Sequence, residues 1–208
     1  MLLAAAWAVA STQGAQAAPL QAASAPAPLV PALELVERIL AVVDERPLLL
    51  SDVRALAAVR ELSLELALEA AIDERLMFSE AARVAQAEVA PEQESEALLA
   101  LVTRKPELVR RVPEPDLRRL LRRQLAILQY VEFRFRPQIH VSDDAVRSAW
   151  EAEEIGRPAG PALEDARAAI RVRLERQALD ERIESWVKEL RARADVRNVG
   201  GIPASGER

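Results

Sequence analysis

The sequence has no cysteine and a single histidine, His140, which excludes disulfides, thiolate nucleophiles and any site built on two imidazoles. The lack of cysteine leaves the compartment open, because disulfide-free proteins occur both inside and outside the cytoplasm. Aromatic residues make up only 3% of the chain, while Ala, Leu, Glu and Arg dominate. That palette favours helix and carries little strand preference, so a mainly α body is expected. Neither charge is in large excess: 28 basic and 33 acidic side chains give a net charge of -5, which offers no field to gather nucleic acid. Dinucleotide, phosphate-loop and metal motifs are missing, as are internal repeats, and no cofactor or metal is expected.

What is present suits one domain with a real core: 208 residues at 50% hydrophobic content. The run "LLAAAWAVA" has the length of a signal-peptide h-region, and Ala15, Gln16 and Ala17 form an A-x-A cleavage site. It is too short to span a bilayer, and no Lys or Arg precedes it. Residues 1–17 are therefore expected to be a signal peptide that directs export, cleaved after Ala17, with no stable membrane insertion. Residues 18–35 read as an Ala/Pro linker held extended by Pro19, Pro26, Pro28 and Pro31.

From Val36 to Val43 the chain is short and rich in β-branched residues, "DERP" is a turn signal, and Leu48 to Leu50 can return as a second strand. Ser51 is an N-cap signal for a helix from about Asp52 to Arg60. Apolar spacing of three and four from Leu64 predicts a second helix ending near Gln86. Pro91 opens a short, exposed helix to about Arg104, with Glu92, Glu94 and Glu96 suiting its positive end. After three prolines in "KPELVRRVPEP", Asp116 is expected to cap a long helix to Arg136. Its buried face is predicted as Leu117, Leu120, Leu121, Leu125, Leu128 and Val131, widened by Ile127, Tyr130 and Phe133. Arg118, Arg119, Arg122 and Arg123 then read as a solvated face rather than a nucleic-acid patch.

Ser142 caps a helix reaching about Glu154, "IGRPAGP" breaks the chain, and a last helix runs from Leu163 to Ala194. Its inward residues are predicted as Leu163, Ile170, Leu174, Ile183, Trp186, Val187 and Leu190. Asp195 to Val199 can form a strand. An isolated hairpin is marginal in water, so this strand is expected to join it in a small antiparallel sheet. The domain core is accordingly 36–199, formed by 36–154 and a closing segment 162–199, with 200–208 as a flexible tail. No catalytic residue is identified. His140 lies in a connector, and neither Asp73 with Glu74 nor Asp143 with Asp144 makes a dyad, since sequence neighbours on a helix point apart.

The succession "VERILAVVDERPLLLSDV", "AAIDERLMFSEA", "LRRLLRRQLAILQYVEFRFRPQIHVSDDAV" and "RLERQALDERIESWVKELRARADVR" resembles the SurA-like periplasmic chaperones, the SurA N-terminal domain family. Matching residues include Val36, Ile39, Val42, Val43, Leu50, Ser51 and Val53, then Ile72, Glu74, Leu76, Leu121, Gln124 and Leu125. Val141, Ser142, Val146, Leu174, Trp186, Leu190, Ala194 and Asp195 extend the likeness over most of Val36 to Val199. The resemblance implies a holdase for unfolded outer-membrane or secreted polypeptides. It also implies an N-terminal hairpin and helices completed by a C-terminal helix and strand. Parvulin-type isomerase domains, inserted before the last helix in that family, have no counterpart between Glu154 and Leu163. Candidates for an apolar client surface are Phe78, Leu98, Leu101, Phe133 and Trp150, each of which could instead simply pack in the core. Two alternatives stand beside this expectation: a peptidyl-prolyl isomerase-family protein, and a dedicated envelope scaffold with one partner.

Overall fold

The computed structural model describes residues 37–154 and 162–201. The expected signal peptide, the linker, the breaker-loop residues 155–161 and the tail beyond 201 lie outside the described residues.

The chain opens with a hairpin, β1 (Ile39–Val43) and β2 (Arg46–Leu49). Asp44 and Glu45, with φ of 45° and 66°, form the two-residue turn between them. Positive φ at both central residues gives the twist that a tight hairpin needs. Asp44 is tied down by the far end of the chain: its amide donates to the Asp195 carbonyl at 2.9 Å, and its carboxylate accepts the Asp195 amide at 3.0 Å. Arg46 and Pro47, expected in the turn, belong to β2. Proline is tolerated there because β2 is an edge strand and its missing N–H takes no ladder bond from β1. A register shift between Ile39 and Ala41 breaks strict alternation, so that Leu40 and Ala41 are both buried.

Seven helices follow among the described residues: α1 (Leu50–Arg60), α2 (Leu64–Ala81), α3 (Pro91–Arg104), α4 (Leu108–Arg111), α5 (Glu114–Arg134), α6 (Asp143–Glu154) and α7 (Leu163–Arg193). β3 (Val196–Asn198) then pairs antiparallel with β1, in the sheet order β2-β1-β3. The protein is thus mainly α with a small three-stranded antiparallel sheet, and the closing strand is the one expected.

Several local expectations are corrected. Ser51 is not the cap of α1, which begins one residue before it; its amide is met instead by the Glu37 carboxylate at 3.3 Å. Partial burial raises the Glu37 carboxyl, but hydrogen bonds from Ser51 and the Arg38 amide outweigh it and hold the pKa below the usual glutamate value. α2 ends at Ala81 rather than near Gln86, giving way to a 3-10 turn at Ala85–Ala87. The proline-rich stretch holds the one-turn helix α4. α5 starts at Glu114 behind Pro113, so Asp116 lies inside its first turn and accepts from Arg119 at 2.6 Å. The α5 helix ends at Arg134, with a 3-10 turn at Arg136–Gln138 after it.

α5 is the axis of the molecule's core, touching α1, α2, α3 and the Ala85–Ala87 turn. Its buried direction therefore rotates along its length. Leu117, Leu120 and Val131 face the main core, while Ala126 is buried in a small separate cluster with Ala81 and Ala87. Leu128, predicted on the buried face, is 56% exposed, and Leu121 and Leu125 are only half-buried. α3 is not wholly exposed as expected, because Glu94 and Leu98 are buried.

α7 has two tasks. Its first half holds α6, with Val146 and Ile170 buried in these two adjoining helices and Arg171 donating to the Val141 carbonyl at 3.2 Å. Its second half closes the core through Leu179, Trp186 and Leu190. Trp186 stacks on Tyr130 with ring centroids 5.1 Å apart and meets Phe135 edge-on at 5.2 Å. Arg182 covers the Phe135 ring at 4.9 Å.

Beyond β3, the amide of Gly200 donates to the Leu40 carbonyl at 3.2 Å, and a Cβ at this position would stand 2.6 Å from the Ile39 carbonyl oxygen. A backbone atom cannot move aside cheaply. Gly200→Ala is expected to lift the end of β3 off β1 and cost about 1–3 kcal/mol, seen as a lower urea midpoint. Gly201→Ala, with nothing within 4 Å of its Cβ, should leave the midpoint unchanged.

Candidate functional site

Of the four α5 arginines expected on a solvated face, Arg118, Arg119 and Arg122 keep 38%, 48% and 60% of their side chains exposed, and Arg123 alone leaves that face. Arg123 turns inward, donating from Nε to Glu74 at 2.9 Å and from Nη1 to Asp52 at 3.1 Å. Gln124 donates to the second Glu74 oxygen at 3.1 Å. Asp52 and Glu74 are 4% and 3% exposed, so two carboxylates from α1 and α2 are neutralised inside the core by a helix 49 to 71 residues further on. Arg75 approaches Asp52 at 3.8 Å and donates to the Pro47 carbonyl at 3.3 Å. Burial holds its guanidinium below the ordinary arginine pKa, and the like charge of Arg123 adds to the effect. A second group on α3 repeats the theme: Glu94 is 6% exposed and receives Arg122 at 2.8 Å and Arg118 at 3.5 Å. The carboxylates of these groups are each paired with arginine and hold helices in register, while the buried Nε of Arg75 has no hydrogen-bond partner. They offer no free acid or base.

The helical phase carried the missed signal. Arg123 follows Leu120 by three residues and precedes Ile127 by four, on the inner stripe of α5. Glu74 stands in the same way on the buried Ala67–Ala71 stripe of α2.

The carboxylate neighbours that could have suggested acid–base chemistry diverge as expected. Asp73 pairs with Arg191 on α7 while Glu74 faces Arg123. Asp143 pairs with Arg171 and Arg167, and Asp144 lies 3.9 Å from Arg147. His140 is exposed, with Nδ1 3.2 Å from the Gln138 carbonyl oxygen. Among the described residues no cluster of three or more His, Asp or Glu could hold a metal, and no helix is long and apolar enough to cross a membrane.

The five candidate apolar residues are scattered rather than assembled. Leu98 is buried in the main core and Leu101 is half-buried against it. Phe78 is half-buried on the small Ala81–Ala87–Ala126 cluster, where it lines a groove of about 510 Å³ with Val84, Val89 and Pro91. Phe133 is 51% exposed on α5, and Trp150 is half-buried on α6. A second groove, of about 290 Å³, runs between α2, α5 and α7. Met77, Ile127, Leu128, Val131 and Ile183 give it apolar walls, and Glu74 and Gln124 border it with side chains already committed to each other. Leu128 was the unforeseen member. It lies where the partners of α5 diverge and leave a gap in the packing. No protein-family model matches the chain, and no curated protein matches it significantly.

Proposed function

We propose that this chain is a holdase-type chaperone of the SurA-like kind, exported to the periplasm, that binds unfolded outer-membrane or secreted polypeptides without isomerase activity. The observation that carries this proposal is the open apolar groove between α2, α5 and α7, with Leu128 exposed along it. An exposed leucine beside an unfilled apolar groove suits an extended client segment, while charged outer faces keep the protein dispersed. The resemblance of Val36 to Val199 to the chaperone family supports the same role, as does the return of β3 to the N-terminal hairpin that this resemblance implies. The interval from Glu154 to Leu163 leaves no residues for an inserted catalytic domain, which disfavours the isomerase alternative.

Such a groove gains from apolar burial but must order a floppy client, so affinities around the micromolar range are expected, about -8 kcal/mol. Light scattering of several unrelated unfolded outer-membrane polypeptides tests this, with suppression of aggregation expected for all of them. Protection of one alone would instead identify a dedicated scaffold. Leu128→Glu should weaken client binding about tenfold with little change in stability, because the side chain it replaces is exposed. Isomerisation of X-Pro peptides well above background would overturn the non-enzymatic assignment.

A further inference from the structure

A third groove, of about 450 Å³, lies where α1 meets the start of α2 and the α4 turn. Its apolar lining is Ala57, Ala58, Leu62, Leu64 and the buried Val112. Its charges are Arg54, Arg111 and Glu61. Glu61 is already taken by Lys105, whose ammonium also donates to the Val59 carbonyl at 3.1 Å. Among the described residues Arg54 and Arg111 make no hydrogen bond and no ion pair within 4 Å, and Arg111 acts on Glu61 only at longer range, helping Lys105 to hold its carboxyl below the usual glutamate value. In a chain of net charge -5, this groove therefore carries two guanidiniums whose N–H groups have no hydrogen-bonded acceptor, beside an apolar lining.

We propose that this groove captures the C-terminal residue of a polypeptide, holding its carboxylate with Arg54 and Arg111 and its apolar side chain on Ala57, Leu62 and Val112. The proposal rests on the polypeptide-binding function above and names a chain end as the feature recognised. Guanidinium forks match a carboxylate in geometry and charge. A chain terminus carries carboxylate and side chain on one Cα, so one residue meets both halves of the groove. An internal Asp or Glu in an extended segment does this less well, because its immediate neighbours point to the opposite face.

The test is fluorescence anisotropy on the full-length protein with three labelled ten-residue probes. One ends in Phe with a free carboxylate, one is the same peptide amidated, and one is amidated with an Asp beside an internal Phe. The free acid is expected to bind at least ten times more tightly than either amide. Arg54→Gln with Arg111→Gln should bring it down to the amide's affinity without moving the thermal midpoint, whereas Arg147→Gln on α6 should preserve the discrimination. Equal binding of acid and amide, or discrimination that survives the double substitution, overturns the proposal. So does equally tight binding of the internal-Asp probe, which would make the groove a site for acidic segments in general. Aggregation suppression without acid-over-amide discrimination refutes this groove alone, and discrimination without suppression refutes the holdase function while keeping the groove.

Discussion

Arg123→Ala is expected to lower the stability of the full-length protein by about 3 kcal/mol, because it removes the hydrogen-bonded cation shared by two buried carboxylates and leaves Asp52 with Arg75 and Arg119 at 3.8 Å and Glu74 with Gln124. That is a large part of the roughly 5–15 kcal/mol that holds a small domain together. The loss belongs to the broken arrangement rather than to the attraction itself. A buried ion pair gains little over apolar packing, yet an unmatched buried charge is costly. In an Asp52→Asn, Glu74→Gln background the same Arg123→Ala substitution should therefore cost much less, and urea titration of the four proteins gives the coupling directly. Equal cost in both backgrounds would mean that Arg123 acts through packing of its stem alone. Arg118→Ala offers a contrast. Its side chain is 38% exposed and Arg122 still meets Glu94, so about 1 kcal/mol or less is expected.

A chain ending at Pro161 should lose cooperative unfolding altogether. It removes β3, which pairs with β1, and the whole of α7, whose second half buries Leu179, Trp186 and Leu190. The remaining hairpin would face water along β1, and Tyr130 and Phe135 would lose the ring that lies against both. Trp186→Ala reports the same closure in milder form, with an expected cost of about 3–5 kcal/mol. Circular dichroism melts distinguish the outcomes. A sharp transition in the truncated chain near the full-length midpoint would show that residues up to 161 fold without their closing segment.

Helix positions were legible wherever periodicity and punctuation agreed. Pro91 starts α3, Ser142 caps α6 by accepting the Ala145 amide at 3.1 Å, and the span of α7 follows its apolar repeat. Caps were less legible where the partner is distant in sequence, as for Glu37 on the start of α1. Among the candidate surface residues, Phe78 lines a groove but Leu98 is core, since composition and period alone cannot say which apolar face meets another helix.

By itself the sequence determined the helical class, the hairpin, the returning C-terminal strand and the lack of cysteine or paired histidine chemistry. Each follows from local propensity, period or simple absence. Tertiary structure alone decided that Arg123 turns inward, because its partners Asp52 and Glu74 sit on two other helices. It likewise decided that Leu128 stays exposed beside a groove while Ala126, two residues earlier, is buried. A helix shows the sequence its own periodicity, whereas the direction it buries at each turn is set by neighbours that only the assembled fold brings together.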